Sequence, residues 1–248
     1  MTAAAAVLVY ACTGTAARAS IPSPGQEVAP RIVHRVANRF VRPWRRDGTS
    51  RVAQIRVRVK RLRAFRSPHA RRPFAVLPNP NRRGTPLVLL VRARRHGWLH
   101  VYLPVRPNGS SGWIRARSAR VLRDRYRVIV RVRRHRLEVW RGRRLVTRQH
   151  VAVGRRRMPT PHGVFFVVEL LKPTNPHGTY GPFSFGLSAH SNVLREFGGG
   201  DGRIGMHGTN EPWLLGHSIS HGCIRMQNRA VRKLARLLPL GTPVVIRA

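Results

Sequence analysis

Acidic residues are the scarcest class of charged side chain in this 248-residue sequence. Eight Asp and Glu stand against 48 Lys and Arg, almost all of them arginine, and the formal net charge is +40. A charge of this size attracts any polyanion, whether nucleic acid, anionic lipid or an anionic wall polymer. A GC-rich genome, which favours arginine codons, produces the same composition without a selected partner. The charge alone therefore does not identify a function.

Long hydrophobic runs are also missing. The apolar stretch from Ala3 to Ala17 is too short and too interrupted to span a bilayer, and no other segment resembles a transmembrane helix. It ends at Ala17-Arg18-Ala19, the small-residue pattern of a secretory cleavage site. We predict that residues 1–19 are a signal peptide and that the protein is exported to the cell wall or a periplasm-like space. A lipid anchor at Cys12 is the alternative.

Cysteine is limited to two residues, Cys12 and Cys223. Loss of the predicted signal peptide would leave Cys223 as the lone thiol, which excludes an internal disulfide. In an exported protein, a lone thiol indicates either an intermolecular bridge or a reactive group. A buried, inert cysteine is the structural alternative.

Aromatic residues make up only 7% of the sequence. No basic helix or aromatic-rich strand pair of the RNA-binding type is present, so no specific nucleic-acid partner is predicted. The Gly198–Gly202 run lacks the lysine and helix of a phosphate-binding loop, and its composition is typical of a tight turn.

The chain divides into segments of different composition. Residues 20–51 are rich in Pro, Ala, Gly and Arg and are predicted to form a linker. Residues 52–123 alternate short apolar runs with turn residues, which predicts a small all-β barrel. Their pattern TPLVLLVRARRHGWLHVYLP…GSSGWIRA resembles a bacterial Src-homology-3-like domain. This basic segment is predicted to be either a binding domain for an anionic wall polymer or a spacer.

Residues 124–248 are predicted to be mostly β with one substantial helix. Alternating runs beginning at Tyr126 and Arg136 indicate antiparallel strands. Asn228 is a predicted helix cap, and Pro239 and Gly241 are predicted to end the helix. Its predicted apolar face consists of Val231, Leu234, Ala235 and Leu238.

The side chains that could take part in catalysis are concentrated in two runs, IGMHGTNEPW from Ile204 and SHGCIRMQN from Ser220. A cysteine reacts as its thiolate and therefore needs a base or a positive environment. His207 and His221 are candidate bases, and Arg225 adds positive charge. Gly222 allows successive backbone N–H groups to converge, as an oxyanion hole requires.

Zinc binding remains an alternative from residue types alone. The sequence contains no C-x-x-C or H-x-x-x-H pair, so we predict no metal site. The candidate ligands would be His190, His207, His217, His221 and Cys223.

The pattern HGTN…SHGCIRM resembles the signature of the L,D-transpeptidase catalytic domain of the YkuD type. Further similarity lies in Val151–Gly154, Thr160–Phe165, Tyr180–Ser188 and His190-Ser191, so the resemblance covers essentially all of residues 125–247. It implies a β-rich catalytic domain that follows the small barrel.

The resemblance also implies roles for individual residues. Cys223 would be the nucleophile and His207 the general base, oriented by the backbone carbonyl of Gly208. The oxyanion donors would be His221, Gly222 and Cys223. Ser220 would fix the turn, and Arg225 would either brace the loop or hold a substrate carboxylate. The residues that would face the substrate, or serve only in packing, are Tyr180, Phe183 and Ser188.

The implied reaction is acyl transfer between peptidoglycan stem peptides. The thiol would attack the carbonyl of the third stem residue, release D-alanine, and pass the acyl group to an amine of a second stem peptide. Transfer to water would make the enzyme an L,D-carboxypeptidase. Acylation by carbapenems is also implied, and no metal or organic cofactor is required. A non-catalytic wall-binding protein is the rival hypothesis.

Overall fold

A computed structural model describes residues 42–196 and 200–248. The predicted signal peptide, Cys12 and most of the predicted linker lie outside this range. The described residues form an N-terminal lobe (residues 50–124) and a C-terminal lobe (residues 126–247) within one compact unit. The prediction of a mostly β protein with one substantial helix is confirmed.

The N-terminal lobe is built from short strands between turns. Its main sheet is antiparallel with the order β6-β5-β4-β1-β7, and β2 and β3 form a separate hairpin. The first strand begins two residues before the predicted domain boundary. The strands are β1 (Ser50–Ile55), β2 (Arg61–Ala64), β3 (Ala75–Pro78), β4 (Val88–Arg95), β5 (Trp98–Tyr102), β6 (Ser111–Arg115) and β7 (Ala119–Asp124).

Residues suited to tight turns, and strands with alternating buried and exposed side chains, explain why this lobe folds into short strands. His96 and Gly97 adopt positive φ between β4 and β5, which is the conformation that a tight hairpin turn requires. In β2, Leu62 and Ala64 are buried while Arg61 and Arg63, which alternate with them, are exposed. The Src-homology-3-like identity of this lobe stays a prediction.

The C-terminal lobe contains an eight-stranded sheet with the order β10-β9-β8-β17-β12-β13-β14-β16. The pairs β8–β17 and β14–β16 are parallel, and the other neighbours are antiparallel. The short strands β11 and β15 pair with each other in parallel. The strands are β8 (Tyr126–Arg131), β9 (Arg136–Arg141), β10 (Arg144–His150), β11 (Val153–Gly154), β12 (Gly163–Leu171), β13 (Ser184–His190), β14 (Arg203–His207), β15 (Ser218–Ser220), β16 (Ile224–Arg225) and β17 (Pro243–Arg247).

The helix α1 (Asn228–Leu237) packs its predicted apolar face on this sheet, with Val231 and Leu234 fully buried. The predicted cap is wrong. Gln227 is the N-cap, without a side-chain hydrogen bond, and Asn228 is the first helical residue. Asn228 Oδ1 instead accepts the Thr209 N–H at 2.9 Å. None of the helices in the described ranges has the length and apolarity needed to cross a membrane.

The two lobes share an interface that is both apolar and hydrogen-bonded. Phe166 of β12 is fully buried in the core of the N-terminal lobe. Asn108 exchanges hydrogen bonds with the His190 backbone, accepting its N–H at 2.8 Å and donating to its carbonyl at 2.7 Å. The Arg106 guanidinium donates to the carbonyls of Ser191, Leu194 and Asp201. These hydrogen bonds therefore attach the N-terminal lobe to the end of β13 and to the segment that follows it.

Replacing Asn108 with alanine is expected to lower the free energy of unfolding by about 1–3 kcal/mol, because two backbone groups of His190 lose their partners. Urea unfolding followed by circular dichroism measures this change. Asn175→Ala is the matched control, since its side chain bonds only to the nearby His177 N–H on the surface. Equal stability of the two variants would show that the hydrogen bonds of Asn108 contribute nothing to the free energy of unfolding.

Candidate active site

Two parallel strands bring the predicted nucleophile and base together. In the register of β14 with β16, Met206 is opposite Ile224 and His207 is opposite Arg225. Cys223 immediately precedes β16, and its Sγ accepts the Gly205 N–H at 3.3 Å. Gly205 and His207 are two residues apart on one strand and so share a face. The thiol thus lies against β14, at a position two residues before His207.

The His207 imidazole is held in one orientation. Its side chain is buried, and Nδ1 lies 2.6 Å from the Gly208 carbonyl oxygen. A carbonyl oxygen only accepts, so Nδ1 carries the hydrogen and Nε2 keeps its lone pair. Burial lowers the pKa of His207 to about 4, although the Gly208 hydrogen bond opposes this shift. At neutral pH the imidazole is therefore uncharged and able to accept a proton.

The Cys223 thiol is also uncharged at rest. Burial raises its pKa above the ordinary value, while the Gly205 N–H and the positive charge of Arg225 act in the opposite direction. A neutral thiol beside a neutral imidazole differs from a preformed thiolate–imidazolium pair. Any reaction of this sulfur as a nucleophile would require removal of its proton, and the uncharged His207 imidazole is the candidate acceptor.

Hydrogen bonds within the segment fix the loop from Ser220 to Cys223. The buried Ser220 hydroxyl donates to the Cys223 carbonyl at 2.6 Å and accepts the Gly222 N–H at 3.1 Å. The Thr160 hydroxyl donates to the Gly222 carbonyl and accepts the Gly154 N–H. Ser220 therefore braces the loop from within and does not present its hydroxyl to a substrate.

Gly222 is required by its backbone conformation and its surroundings. Its φ is +118°, and a Cβ atom there would lie 2.9 Å from Ile204 Cδ1. Its N–H is already engaged by Ser220 Oγ. The predicted role of that N–H as an oxyanion donor would require this bond to break. His221 and Cys223 are the other predicted donors.

Arg225 forms an ion pair with Glu211, with Nη1 and Oε2 2.7 Å apart. The strand register places Arg225 opposite His207, and its charge lowers the pKa of both His207 and Cys223. Of its two predicted roles, bracing the loop is the one visible in these contacts.

The three residues predicted to face the substrate occupy different environments. The Tyr180 ring lies over His207, with ring centroids 4.9 Å apart, and is 42% exposed. Phe183 packs against the core of the C-terminal lobe, and its carbonyl accepts the Gly208 N–H. Ser188 is buried in β13, where its hydroxyl accepts the Phe166 N–H. Of the two roles considered for Ser188, packing within the sheet is the one that these contacts favour.

Four further residues shape the site without having been predicted from the sequence as site residues. Gly205 contacts the thiol, Thr160 anchors the Gly222 loop, Glu211 holds Arg225, and Asn228 ties α1 to the chain after His207. Thr160 and Glu211 lie inside motifs that the sequence shows, next to Pro161 and Pro212. Gly205 and Asn228 give no local signal of their contacts.

The described residues contain no group of three His, Cys, Asp or Glu side chains arranged to hold a metal ion. The zinc ligands considered from the sequence are separated. His190 bonds to Asp201, His207 to Gly208, and Cys223 to Gly205.

The acylation rate of Cys223 is expected to fall at acid pH with a midpoint near 4, because the His207 pKa is lowered to about 4. Protonation of Nε2 below that value removes the base, whereas an ordinary histidine would titrate near 6.5. The measurement is the rate of carbapenem adduct formation by intact-protein mass, with circular dichroism at each pH to confirm folding. A midpoint near the ordinary histidine value would contradict the buried, neutral imidazole.

The comparison with known proteins agrees with this geometry. A family model described as the L,D-transpeptidase catalytic domain (YkuD) matches residues 125–246. The Bacillus licheniformis protein named as the L,D-transpeptidase YkuD is 36% identical over 121 residues, which cover 49% of this chain and 65% of that protein. The Bacillus subtilis protein named as the L,D-transpeptidase YqjB is 36% identical over 124 residues, which cover 48% of this chain and 69% of that protein.

Among solved structures, Bdellovibrio bacteriovorus Bd1075 matches with 28% identity and a TM-score of 0.41, covering 50% of this chain and 48% of that one. The matched part of the chain corresponds to about two thirds of the length of the two Bacillus proteins. The segment that the family model matches contains both Cys223 and His207. The chain belongs to the L,D-transpeptidase (YkuD) family.

Proposed function

We propose that the protein is a peptidoglycan L,D-transpeptidase that uses Cys223 as its nucleophile. The observation that carries the proposal is the contact of the Cys223 thiol with β14, two residues before His207, together with the orientation of His207 by Gly208. A neutral base beside a neutral thiol is the starting state for proton transfer coupled to nucleophilic attack.

The first half-reaction forms a thioester. His207 Nε2 takes the proton of Cys223 as the sulfur attacks the carbonyl carbon of the third stem residue, a diamino acid. We propose the Cys223 N–H as an oxyanion donor, because the neighbouring Gly222 N–H is already bonded to Ser220 Oγ. The family resemblance implies the His221 N–H as another donor. Collapse of the tetrahedral intermediate breaks the amide bond between the third residue and the terminal D-alanine. The leaving amine receives the proton from His207.

The second half-reaction passes the acyl group to an amine. The side-chain amine of another stem peptide gives a proton to His207 and attacks the thioester carbonyl. The C–S bond breaks, the thiol recovers its proton, and an amide links two third residues. Water in place of the amine would give a tripeptide and make the enzyme an L,D-carboxypeptidase.

The test is mass spectrometry of the products from disaccharide-tetrapeptide muropeptides, with Cys223→Ala as control. A cross-linked dimer that has lost one alanine, absent with the variant, supports transpeptidation. Tripeptide monomer without dimer supports the carboxypeptidase. Unchanged substrate, together with no carbapenem adduct on Cys223, would replace the enzymatic proposal with the wall-binding one.

Export is part of the proposal and depends on residues 1–19. A secreted protein whose mature chain begins at Ser20 supports it, and N-terminal sequencing provides the measurement. Retention of Cys12 with an attached lipid supports the anchored alternative. An intact N-terminus on a protein that stays inside the cell contradicts both.

An anionic wall polymer is a further proposed partner. The exposed face of α1 carries four cationic side chains, Arg229, Arg232, Lys233 and Arg236. Cations three and four residues apart form one continuous basic stripe on a helix. Retention on purified walls that falls steeply with salt, and falls further when this stripe is replaced by glutamine, supports the partner. Equal retention on walls stripped of anionic polymer contradicts it.

A further inference from the structure

Trp213 is the one tryptophan of the sequence that the protein leaves in solvent. All five tryptophans lie in the described residues, and Trp213 is 70% exposed whereas Trp98 is 6% exposed and the remaining three are partly buried. An exposed indole is a large apolar surface in contact with water. It therefore indicates a binding role more strongly than a smaller apolar side chain would.

The other four tryptophan rings each have a stacking partner. Trp113 stacks on His100 with ring centroids 4.8 Å apart, and Arg115 lies 3.9 Å from the centroid of Trp98. The guanidinium of Arg127 lies 5.1 Å from the centroids of both Trp44 and Trp140. Within the described ranges, Trp213 has no such ring contact. Its faces are available to a partner that the chain does not supply.

Trp213 is connected to the candidate site through its chain neighbour Glu211. It lies on the 3-10 turn Pro212–Leu214, which is closed by the Leu214 N–H bond to the Glu211 carbonyl at 3.1 Å. Glu211 is bound to Arg225 at 2.7 Å, and Arg225 is the cross-strand neighbour of His207. Pro212 and the Glu211–Arg225 ion pair thus anchor the turn that carries the exposed ring.

Tyr180 provides a second exposed aromatic ring at the same site. It is 42% exposed, and its ring lies against the His207 imidazole with a centroid distance of 4.9 Å and an angle of 57° between the ring planes. Both Tyr180 and Trp213 are therefore linked to His207, one by direct contact and the other through Arg225 and Glu211.

We propose that Trp213 is a stacking platform for an N-acetylated hexosamine ring of the glycan strand that carries the stem peptide. This inference rests on the proposed function and adds a glycan subsite to it. The apolar C–H face of a sugar ring packs on a flat indole, and a neutral N-acetylated sugar needs no charged partner.

The length of the substrate agrees with this assignment. Three extended residues, from the sugar-bound first position to the reacting third carbonyl, span about 10 Å. A peptide held at Cys223 must therefore bring its sugar close to the site. The turn that carries Trp213 begins at Glu211, which is in contact with the arginine opposite the catalytic base.

The experiment compares two substrates that differ only in the sugar, the free stem tetrapeptide and the disaccharide-tetrapeptide. Trp213→Ala is expected to lower kcat/KM for the disaccharide substrate by about 5- to 10-fold, the size of one aromatic stacking contact. Its kcat/KM for the free tetrapeptide should stay within about twofold of the parent protein. Trp213→Tyr, which keeps a flat ring, should restore most of the loss. Val57→Ala is the matched control, since Val57 is 80% exposed on the N-terminal lobe.

The outcomes separate the two proposals. An equal loss on both substrates, or no loss on either, overturns the glycan subsite while the transpeptidase proposal stands. Failure of Trp213→Tyr to recover activity also overturns it. If the parent protein processes neither substrate, the proposed function fails, and the subsite fails with it.

Discussion

Cys223→Ala is expected to leave no measurable release of D-alanine from stem tetrapeptides and no covalent carbapenem adduct. The thiol is the group that forms the thioester in the proposed reaction, and its removal leaves no nucleophile near His207. The variant should remain folded because alanine fills part of the same half-buried position and keeps the Ser220 hydrogen bond to the residue 223 carbonyl, while only the Gly205 N–H loses its acceptor. Release of D-alanine is measured with a coupled amino-acid oxidase assay.

The sequence supplies its own matched control, because Cys12 is the other cysteine. Cys12→Ala in the full chain should react at the parental rate. A carbapenem adduct that persists in Cys223→Ala but disappears in Cys12→Ala would place the reactive thiol outside the described site. Cys223→Ser should also be severely impaired, because a hydroxyl gives up its proton much less readily than a thiol.

His207→Gln is expected to lower the rate of Cys223 acylation by about 100- to 10,000-fold, the contribution of a positioned general base. Glutamine can still occupy the buried volume, but its amide cannot accept the thiol proton. The rate of carbapenem adduct formation at neutral pH is the measurement. Because the resting thiol of the parent protein is neutral, the residual activity of the variant should rise with pH as thiolate forms.

The control for this variant is His100→Gln, which removes a partly buried imidazole stacked on Trp113 in the N-terminal lobe. It should acylate at the parental rate. A loss of less than threefold in His207→Gln, with its thermal unfolding unchanged, is incompatible with His207 as the base.

Local sequence patterns predicted the elements of the fold well. The alternation in the run from Tyr126 and the apolar positions of Val231 and Leu234 depend only on the period of a strand or helix. The order of the eight-stranded sheet depends on contacts between distant residues, such as the pairing of Val244 with Val128. No short window of sequence contains that information.

In the candidate site, too, the sequence predicted some features, while others depend on contacts between distant residues. The pairing of Cys223 with His207 could be expected from the motif, and so could the orienting role of Gly208. The sequence left Ser188 open between a substrate-facing and a packing role, because the choice depends on the Phe166 N–H that its hydroxyl accepts from a neighbouring strand. Asn228 has the chemistry of a helix cap, but the backbone of Thr209 offers a competing donor that only the tertiary structure reveals.

The most direct test is the mass of the intact protein quenched within its first turnover on a stem tetrapeptide whose amines are blocked by acetylation, so that no acceptor amine is present. The proposed mechanism predicts a transient adduct equal to the tetrapeptide minus alanine, located by peptide mapping on the fragment that contains Cys223. Loss of D-alanine without any covalent adduct, or an adduct on another residue, would contradict Cys223 thioester catalysis.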